Sequence, residues 1–163
     1  MTDIDNIIEL SKVELGIHDY ASIRPEQIAF SDEVRKICEE NKCGMYGSCW
    51  ACPPAVGSVE ACRAQCLRYE NAFVFTTLGQ LDDMYNMDDW HKFRIIHEAV
   101  TERVVHVFSA RFGTVLALST EGCTICKHCT YPDKPCRFPE RMFPATEGYG
   151  ILVTDLSKAG QIK

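Results

Sequence analysis

The sequence predicts an α/β fold: a small, mostly parallel sheet of three or four strands with flanking helices and two cysteine-rich metal loops at one edge. Segments with helical spacing of apolar residues alternate with short apolar runs rich in β-branched and aromatic residues. The second cysteine-rich loop directly follows one of these runs, and open α/β sheets place ligands at the carboxyl ends of strands. With 163 residues, 46% of them hydrophobic, we expect residues 1–163 to form a single domain.

Four helices are predicted from apolar spacing and capping residues. The first covers Ile4–Val13 before a glycine, and two more begin at the capping residues Ser31 and Ser58, the latter continuing to Tyr69. The fourth is a long amphipathic helix over Met84–Phe112, with apolar residues every three or four positions. Its His97 lies on the apolar face, so we expect a histidine that packs in the core.

Four short runs are predicted to be strands. Two are Tyr20–Ile23 and Ala72–Leu78, the second rich in aromatic and β-branched residues. The third, Thr114–Ser119, leads directly into the second cysteine run, and the last is Gly150–Asp155. Ala72–Leu78 and Thr114–Ser119 each follow a predicted helix, in the alternating order that builds parallel sheets.

Ten cysteines stand in this chain, and eight of them lie in two short runs. The runs read CEENKCGMYGSCWACPP from Cys38 and CTICKHCTYPDKPC from Cys123. The second has the spacing C-x2-C-x2-C-x6-C, in which three thiolates follow at three-residue steps. A wrapped loop of this kind suits a cubane cluster, whose irons lie close together and each take one thiolate. The pattern therefore indicates iron–sulfur binding.

Zinc and disulfide bonds are the alternatives to iron–sulfur clusters. Structural zinc usually joins two separated C-x2-C pairs in one tetrahedron, and a third cysteine only three residues later is redundant in that geometry. Zinc is kept as the alternative metal. A disulfide framework requires an oxidising compartment, whereas the N-terminus MTDIDNIIELSK lacks the basic and apolar regions of a secretory signal.

Charge and hydropathy exclude two classes of partner. Seventeen basic and 23 acidic residues give a formal charge of −6, without a lysine- or arginine-rich stripe, so we expect no nucleic-acid partner. The longest apolar stretches, such as Val115–Leu118, are far shorter than the roughly 20 residues that cross a bilayer. We therefore expect no membrane insertion and a cytoplasmic location.

The cysteine motifs also resemble a known family. The segment Cys43-Gly-Met-Tyr-Gly-Ser-Cys-Trp-Ala-Cys-Pro-Pro, the later C-x2-C-x2-C followed by Cys136-Arg-Phe-Pro, and Pro144-Ala-Thr-Glu resemble DUF2284, a family of predicted metal-binding proteins. The resemblance extends from about Leu15 to Val153 and implies a metal or iron–sulfur site. It implies ligand roles for Cys38, Cys43, Cys52, Cys123, Cys126, Cys129 and Cys136, whereas the family pattern does not require a cysteine at Cys49.

The number of thiolates favours two [4Fe–4S] clusters. Each cluster takes about four thiolates, so two clusters leave two of the ten cysteines spare. Cys123, Cys126, Cys129 and Cys136 suffice for one cluster, although the fourth cysteine of such a run ligates the other cluster in two-cluster ferredoxins. Cys38, Cys43 and Cys52 need a fourth partner, for which Cys49 and Cys66 are equal candidates ahead of Cys62.

Two functional classes follow from these predictions. In the first, two oxygen-sensitive [4Fe–4S] clusters carry electrons to or from a redox partner protein. In the alternative, an iron of a three-cysteine cluster stays open and the protein is an enzyme that removes sulfur or performs Lewis-acid chemistry. A plainer alternative is a structural module in which zinc holds the loops together.

Overall fold

A computed structural model describes residues 3–81 and 83–162. In these residues the chain forms five α-helices, two β-strands and two short 3-10 turns. The helices are α1 (Asp3–Leu15), α2 (Asp32–Glu39), α3 (Val59–Cys66), α4 (Met87–Phe112) and α5 (Val153–Gly160). The strands are β1 (Asp19–Ile23) and β2 (Ala72–Thr76), and the 3-10 turns are Pro25–Gln27 and Glu147–Tyr149.

The predicted helices are confirmed, and side-chain caps define where three of them begin. The Ser31 hydroxyl accepts the Glu33 N–H at 3.2 Å at the start of α2. Ser58 caps α3 in the same way, and α4 begins after Asn86, three residues later than predicted. Each cap satisfies a backbone donor that the first helical turn leaves without a partner.

The predicted sheet is wrong in size and direction. The described residues contain one sheet of two antiparallel strands, β1 and β2, in place of three or four mostly parallel strands. Asp19 lies opposite Thr76, and Ile23 lies opposite Ala72. On one face Phe73 packs against Phe108 of α4, with ring centroids 4.9 Å apart. The other face meets α5, which approaches β1 at Ala21.

The segment Thr114–Ser119, predicted as a strand, is not one. Its described backbone pairs only at Ser119, which forms an isolated bridge to Ala145. The side chains explain the difference. Val115 packs on the α1–α4 core, whereas Leu116 and Leu118 pack on a separate cluster around α3. A short apolar run indicates that its side chains are buried. A segment buried between two clusters and a strand buried in a sheet have the same pattern, so the sequence does not distinguish them.

The predicted last strand, Gly150–Asp155, is also wrong. Ile151 is buried, but α5 begins at Val153, and the N–H groups of Asp155 and Leu156 donate to the carbonyl of Leu152. The apolar residues of this segment therefore belong to a buried connection and to the first turn of a helix. A short apolar run does not distinguish these two structures from a strand.

The interior of the described residues consists of three buried clusters. The prediction that the two cysteine loops lie at a sheet edge is wrong. The first cluster joins α1, α4 and the sheet through residues such as Ile8, Val100 and Val104. The second contains both cysteine loops, and the third surrounds α3. None of the described residues of the second cluster belongs to β1 or β2. The loops pack on one another instead, and the packing positions their thiols.

Candidate metal centre

The first cysteine run begins in the last turn of α2 and folds back through two glycine turns. Gly44 and Gly47 have φ angles of +73° and +67°, which side chains rarely adopt. The Gly47 N–H donates to the carbonyl of Pro53 at 2.8 Å and closes the loop. As a result, Cys43 is exposed whereas Cys49 is buried, although both belong to the same run.

The sulfurs of the first run interact with one another. The thiols of Cys49 and Cys52 are neighbours, and their interaction lowers the pKa of Cys49 and raises that of Cys52. Burial and the neighbouring Cys43 raise the pKa of Cys38, and Cys38 and Cys43 in turn add to the upward shift of Cys52. Four thiols that influence each other in this way form one electrostatic group.

The second run surrounds a pocket with its four cysteines. Cys123, Cys126, Cys129 and Cys136 all line this pocket, together with Trp50 and Met142. The loop is closed by its own hydrogen bonds: the Arg137 guanidinium donates to the carbonyl of His128 at 2.9 Å. The Thr130 hydroxyl likewise donates to the carbonyl of Pro135 at 2.8 Å. The loop therefore presents its thiols to a common space.

Arg94 of α4 anchors the second run to the rest of the protein. Its guanidinium pairs with the Glu121 carboxylate at 3.1 Å and donates to the carbonyl of Gly122 and the hydroxyl of Thr124. These contacts lie on both sides of Cys123. The long helix thus positions the beginning of the second run.

The two runs meet at Cys49. This side chain is 2% exposed and lies in one cluster with Cys52, against which Cys123 and Cys129 pack. The backbone of Cys123 is a further cause of the lowered pKa of Cys49, after the neighbouring Cys52 thiol. The two runs therefore meet in one sulfur-rich layer that contains Cys49, Cys52, Cys123 and Cys129.

Contacts beyond the sulfurs hold this layer together. The Trp50 indole N–H donates to the carbonyl of Lys134 at 3.1 Å, and its ring packs edge-on against Tyr131 with centroids 5.0 Å apart. Met45 covers Gly122 so closely that a Cβ there would lie 2.4 Å from the methionine methyl group. The first run can approach the second this closely only because residue 122 lacks a side chain.

Cys62 and Cys66, the remaining cysteines, lie in the third cluster and not in the sulfur-rich layer. They pack in α3 with Tyr149 and Ile151. The Cys62 thiol donates to the carbonyl of Val56 at 3.3 Å, and burial raises the pKa of Cys66 to about 11. Both side chains thus have the surroundings of cysteines that pack as small hydrophobic residues.

The donor set consists of thiols, which suit a metal ion or a metal cluster. Within residues 3–81 and 83–162, no three histidine, cysteine, aspartate or glutamate side chains are grouped closely enough to hold one metal ion. Zinc draws its sulfur ligands to about 2.3 Å from one centre, whereas a cluster distributes its thiolates over several irons. In either case the four thiols around the pocket of the second run would be the donors.

A groove of about 210 Å³ lies between α4 and the second run, beside Cys123. Glu98 and Glu102 of α4 form one wall, and Arg141, which pairs with Glu102 at 2.8 Å, closes one side. The Ser119 hydroxyl donates to Glu98 at 3.0 Å, whereas burial raises the pKa of this carboxyl group. Cys123 therefore lies beside a groove whose lining includes two glutamates and an arginine among apolar side chains.

Sequence reasoning missed two residues of this region. Trp50 lines the pocket of the second run although it belongs to the first, and its position inside a cysteine motif was the available signal. Arg35 is buried beside the first run, its Nε donating to the carbonyl of Gly148 at 3.0 Å. No sequence feature distinguishes a buried arginine in a short polar helix from a solvent-exposed one.

Comparison with known proteins supports metal binding. Among the described helices, none is long and apolar enough to cross a membrane. No curated protein and no solved structure matches the chain. Residues 21–163, which contain all ten cysteines, match the family described as predicted metal-binding protein, DUF2284. The cysteine layer and this match lead to the same conclusion: the chain belongs to the DUF2284 family of predicted metal-binding proteins.

Proposed function

We propose that the two cysteine runs hold two neighbouring [4Fe–4S] clusters and that the protein passes electrons to or from a partner protein. The ligands of the first cluster are Cys38, Cys43, Cys49 and Cys52, and those of the second are Cys123, Cys126, Cys129 and Cys136. When bound, such clusters supply reversible one-electron exchange at a potential that their surroundings set.

The contact between the runs at Cys49 carries this proposal. Cys49 interacts with the Cys52 thiol on one side and with the Cys123 backbone on the other, so ligands of both sites belong to one packed layer. Close packing of two redox centres favours electron exchange between them. Zinc that only held the loops in place would not require neighbouring sites.

The surroundings of the thiols favour a role in electron exchange with another protein. Cys43 is exposed, and Phe138, which lines the pocket of the second run, is 37% exposed. A partner that docks over this face would come close to both sites. Ten free cysteines suit a reducing compartment, and we propose the cytoplasm as the location.

Metal and sulfide analysis of anaerobically purified protein tests the proposal. We expect about eight irons and about eight sulfides per chain, and an EPR spectrum of the dithionite-reduced protein that shows magnetic coupling between two clusters. Zinc without sulfide would contradict the proposal. Two EPR signals without any coupling would contradict the neighbouring arrangement.

The ligand role of Cys49 is tested by a matched pair of variants. Cys49→Ala should lose about four irons per chain, because the first cluster loses one of its thiolates. Cys66→Ala removes an equally buried thiol from the third cluster and should keep the full iron content. The assignment is wrong if the two variants retain the same iron content.

A second candidate, an enzyme with one open iron, is favoured by the groove beside Cys123. A small substrate in this groove would lie next to the second site, within reach of the Glu98 carboxyl group. Sulfur removal or Lewis-acid chemistry at an open iron requires such access. Addition of a small thiol or sulfide to the reduced protein should then change its EPR spectrum, whereas two fully ligated clusters should not respond.

A further inference from the structure

Arg35 of α2 is a buried cation, with only 9% of its surface exposed. Its Nε donates to the carbonyl of Gly148 at 3.0 Å, and its Nη2 donates to the same oxygen. Its Nη1 donates to the carbonyl of Gly57 at 2.7 Å. The guanidinium thus links α2 to the turn Glu147–Tyr149 and to the residue before the α3 cap.

Every contact partner of this guanidinium is electrically neutral. Two partners are backbone carbonyls, and the third is the Cys62 sulfur, 3.9 Å from Nη2. Cys62 donates its own thiol proton to the carbonyl of Val56, so it is not a thiolate. No described carboxylate forms an ion pair with Arg35. A buried charge without a counter-ion is costly, because it loses hydration without gaining an opposite charge.

The first cysteine run begins on the same helix as Arg35. Cys38 follows Arg35 by three residues on α2, and residues at this spacing share a helix face. Cys38 is the first thiol of the run that also contains Cys43, Cys49 and Cys52. A [4Fe–4S] cluster with about four thiolate ligands carries a net negative charge. Arg35 therefore lies near the place where a bound cluster would add negative charge.

We infer that Arg35 is the counter-cation of the centre held by the first cysteine run and that its charge raises the reduction potential of that centre. This inference rests on the proposed function. Reduction transfers one electron from dithionite to the centre and makes it more negative. A nearby positive charge in a poorly hydrated position stabilises the reduced form more than the oxidised form.

Variants at position 35 separate the effect of the positive charge on the reduction potential from the effect of the hydrogen bonds. Lysine keeps the positive charge but lacks the forked donors of arginine, whereas methionine removes the charge and keeps an apolar side chain of similar length. Arg103→Met is the matched control. Arg103 on α4 also donates to a carbonyl, that of Leu15 at 3.0 Å, but it lies next to the first cluster of the interior, away from the cysteine layer.

The readout is an EPR-monitored potentiometric titration of the reduced protein. We expect Arg35→Met to lower one of the two midpoint potentials and leave the other unchanged, and Arg35→Lys and Arg103→Met to match the wild type. Equal potentials in wild type and Arg35→Met would overturn the inference, and so would an equal downward shift in Arg35→Lys. If Arg35→Met loses the first cluster, its retention in Arg35→Lys supports the charge role, and its loss there overturns it.

Iron content separates failure of this inference from failure of the proposed function. Wild-type protein without iron and sulfide contradicts the proposed function itself. Wild-type protein with about eight irons, combined with a potential that does not depend on the charge at position 35, contradicts only the role of Arg35.

Discussion

Cys49 and Cys66 are both buried, and the chemistry of their neighbours separates them. Cys49 meets the Cys52 thiol and the Cys123 backbone, whereas Cys66 packs with Tyr149 and Ile151. The sequence offered both as the fourth partner of the first run. The proposal selects Cys49 because only its surroundings combine a neighbouring thiol with the backbone of the second run. Single side chains in this protein thus acquire their roles from long-range contacts.

His97 is confirmed as a core histidine. Its Nδ1 lies 3.0 Å from the Thr77 hydroxyl, its ring stacks on Phe75 with centroids 5.5 Å apart, and burial lowers its pKa below the ordinary 6.5. Below pH 6.5 the unfolded imidazole takes up a proton more readily than the folded one. The unfolded state then binds more protons, and stability falls as pH decreases.

We therefore expect the free energy of unfolding to fall more between pH 7 and about 5 in the wild type than in His97→Gln. Urea unfolding at several pH values measures this difference. His106→Gln, at an exposed position of the same helix, is the control and should keep the wild-type pH dependence. Parallel curves for wild type and His97→Gln would contradict the prediction.

Helices could be predicted from the sequence because their signals are local. A cap such as Ser58 and a regular apolar spacing lie within one element, and both act before any tertiary contact forms. The sheet could not be predicted, because strand pairing depends on residues far apart in the chain. β1 and β2 are joined by a connection that contains the whole first cysteine run. The apolar run Thr114–Ser119 is buried between two clusters and does not join the sheet.

Ser58→Ala should lower the free energy of unfolding by about 1 kcal/mol, because the Ala61 N–H loses its partner at the start of α3. Ser109→Ala is a suitable control, since Ser109 is exposed within α4 and alanine favours a helix interior. Chemical unfolding of the two variants in parallel measures the difference. Equal stability in the two variants would show that the Ser58 cap contributes nothing.

At the scale of the whole molecule, apolar packing and sulfur chemistry occupy separate regions. The cluster formed by α1, α4 and the sheet contains Ile8 and Val100 but none of the described cysteines. Six of the ten cysteines belong to the other two clusters or pack against them: Cys49, Cys52, Cys123 and Cys129 in the second, and Cys62 and Cys66 in the third. We infer that the first cluster stabilises the fold without setting the properties of the metal sites.

Ile8→Ala should therefore lower the free energy of unfolding by about 2–5 kcal/mol while the iron content of the folded protein stays unchanged. Ile8 is 0% exposed, and its removal leaves a cavity beside α4. Val13→Ala on the same helix, at a residue 91% exposed, should change stability by less than about 0.5 kcal/mol. A parallel loss of iron in Ile8→Ala would contradict the separation of the two regions.

The sequence by itself determined the metal-binding character, the family and four of the five helices in the described residues. Cysteine spacing, capping residues and helical periodicity are local patterns, which the chain carries whatever its tertiary structure. Tertiary structure alone decided that the sheet is a two-stranded antiparallel pair, that Cys49 lies where the two cysteine runs meet and that Arg35 is buried against Gly57 and Gly148. These features depend on contacts between distant parts of the chain, and the free energy of such contacts comes from burial, which a linear pattern does not specify.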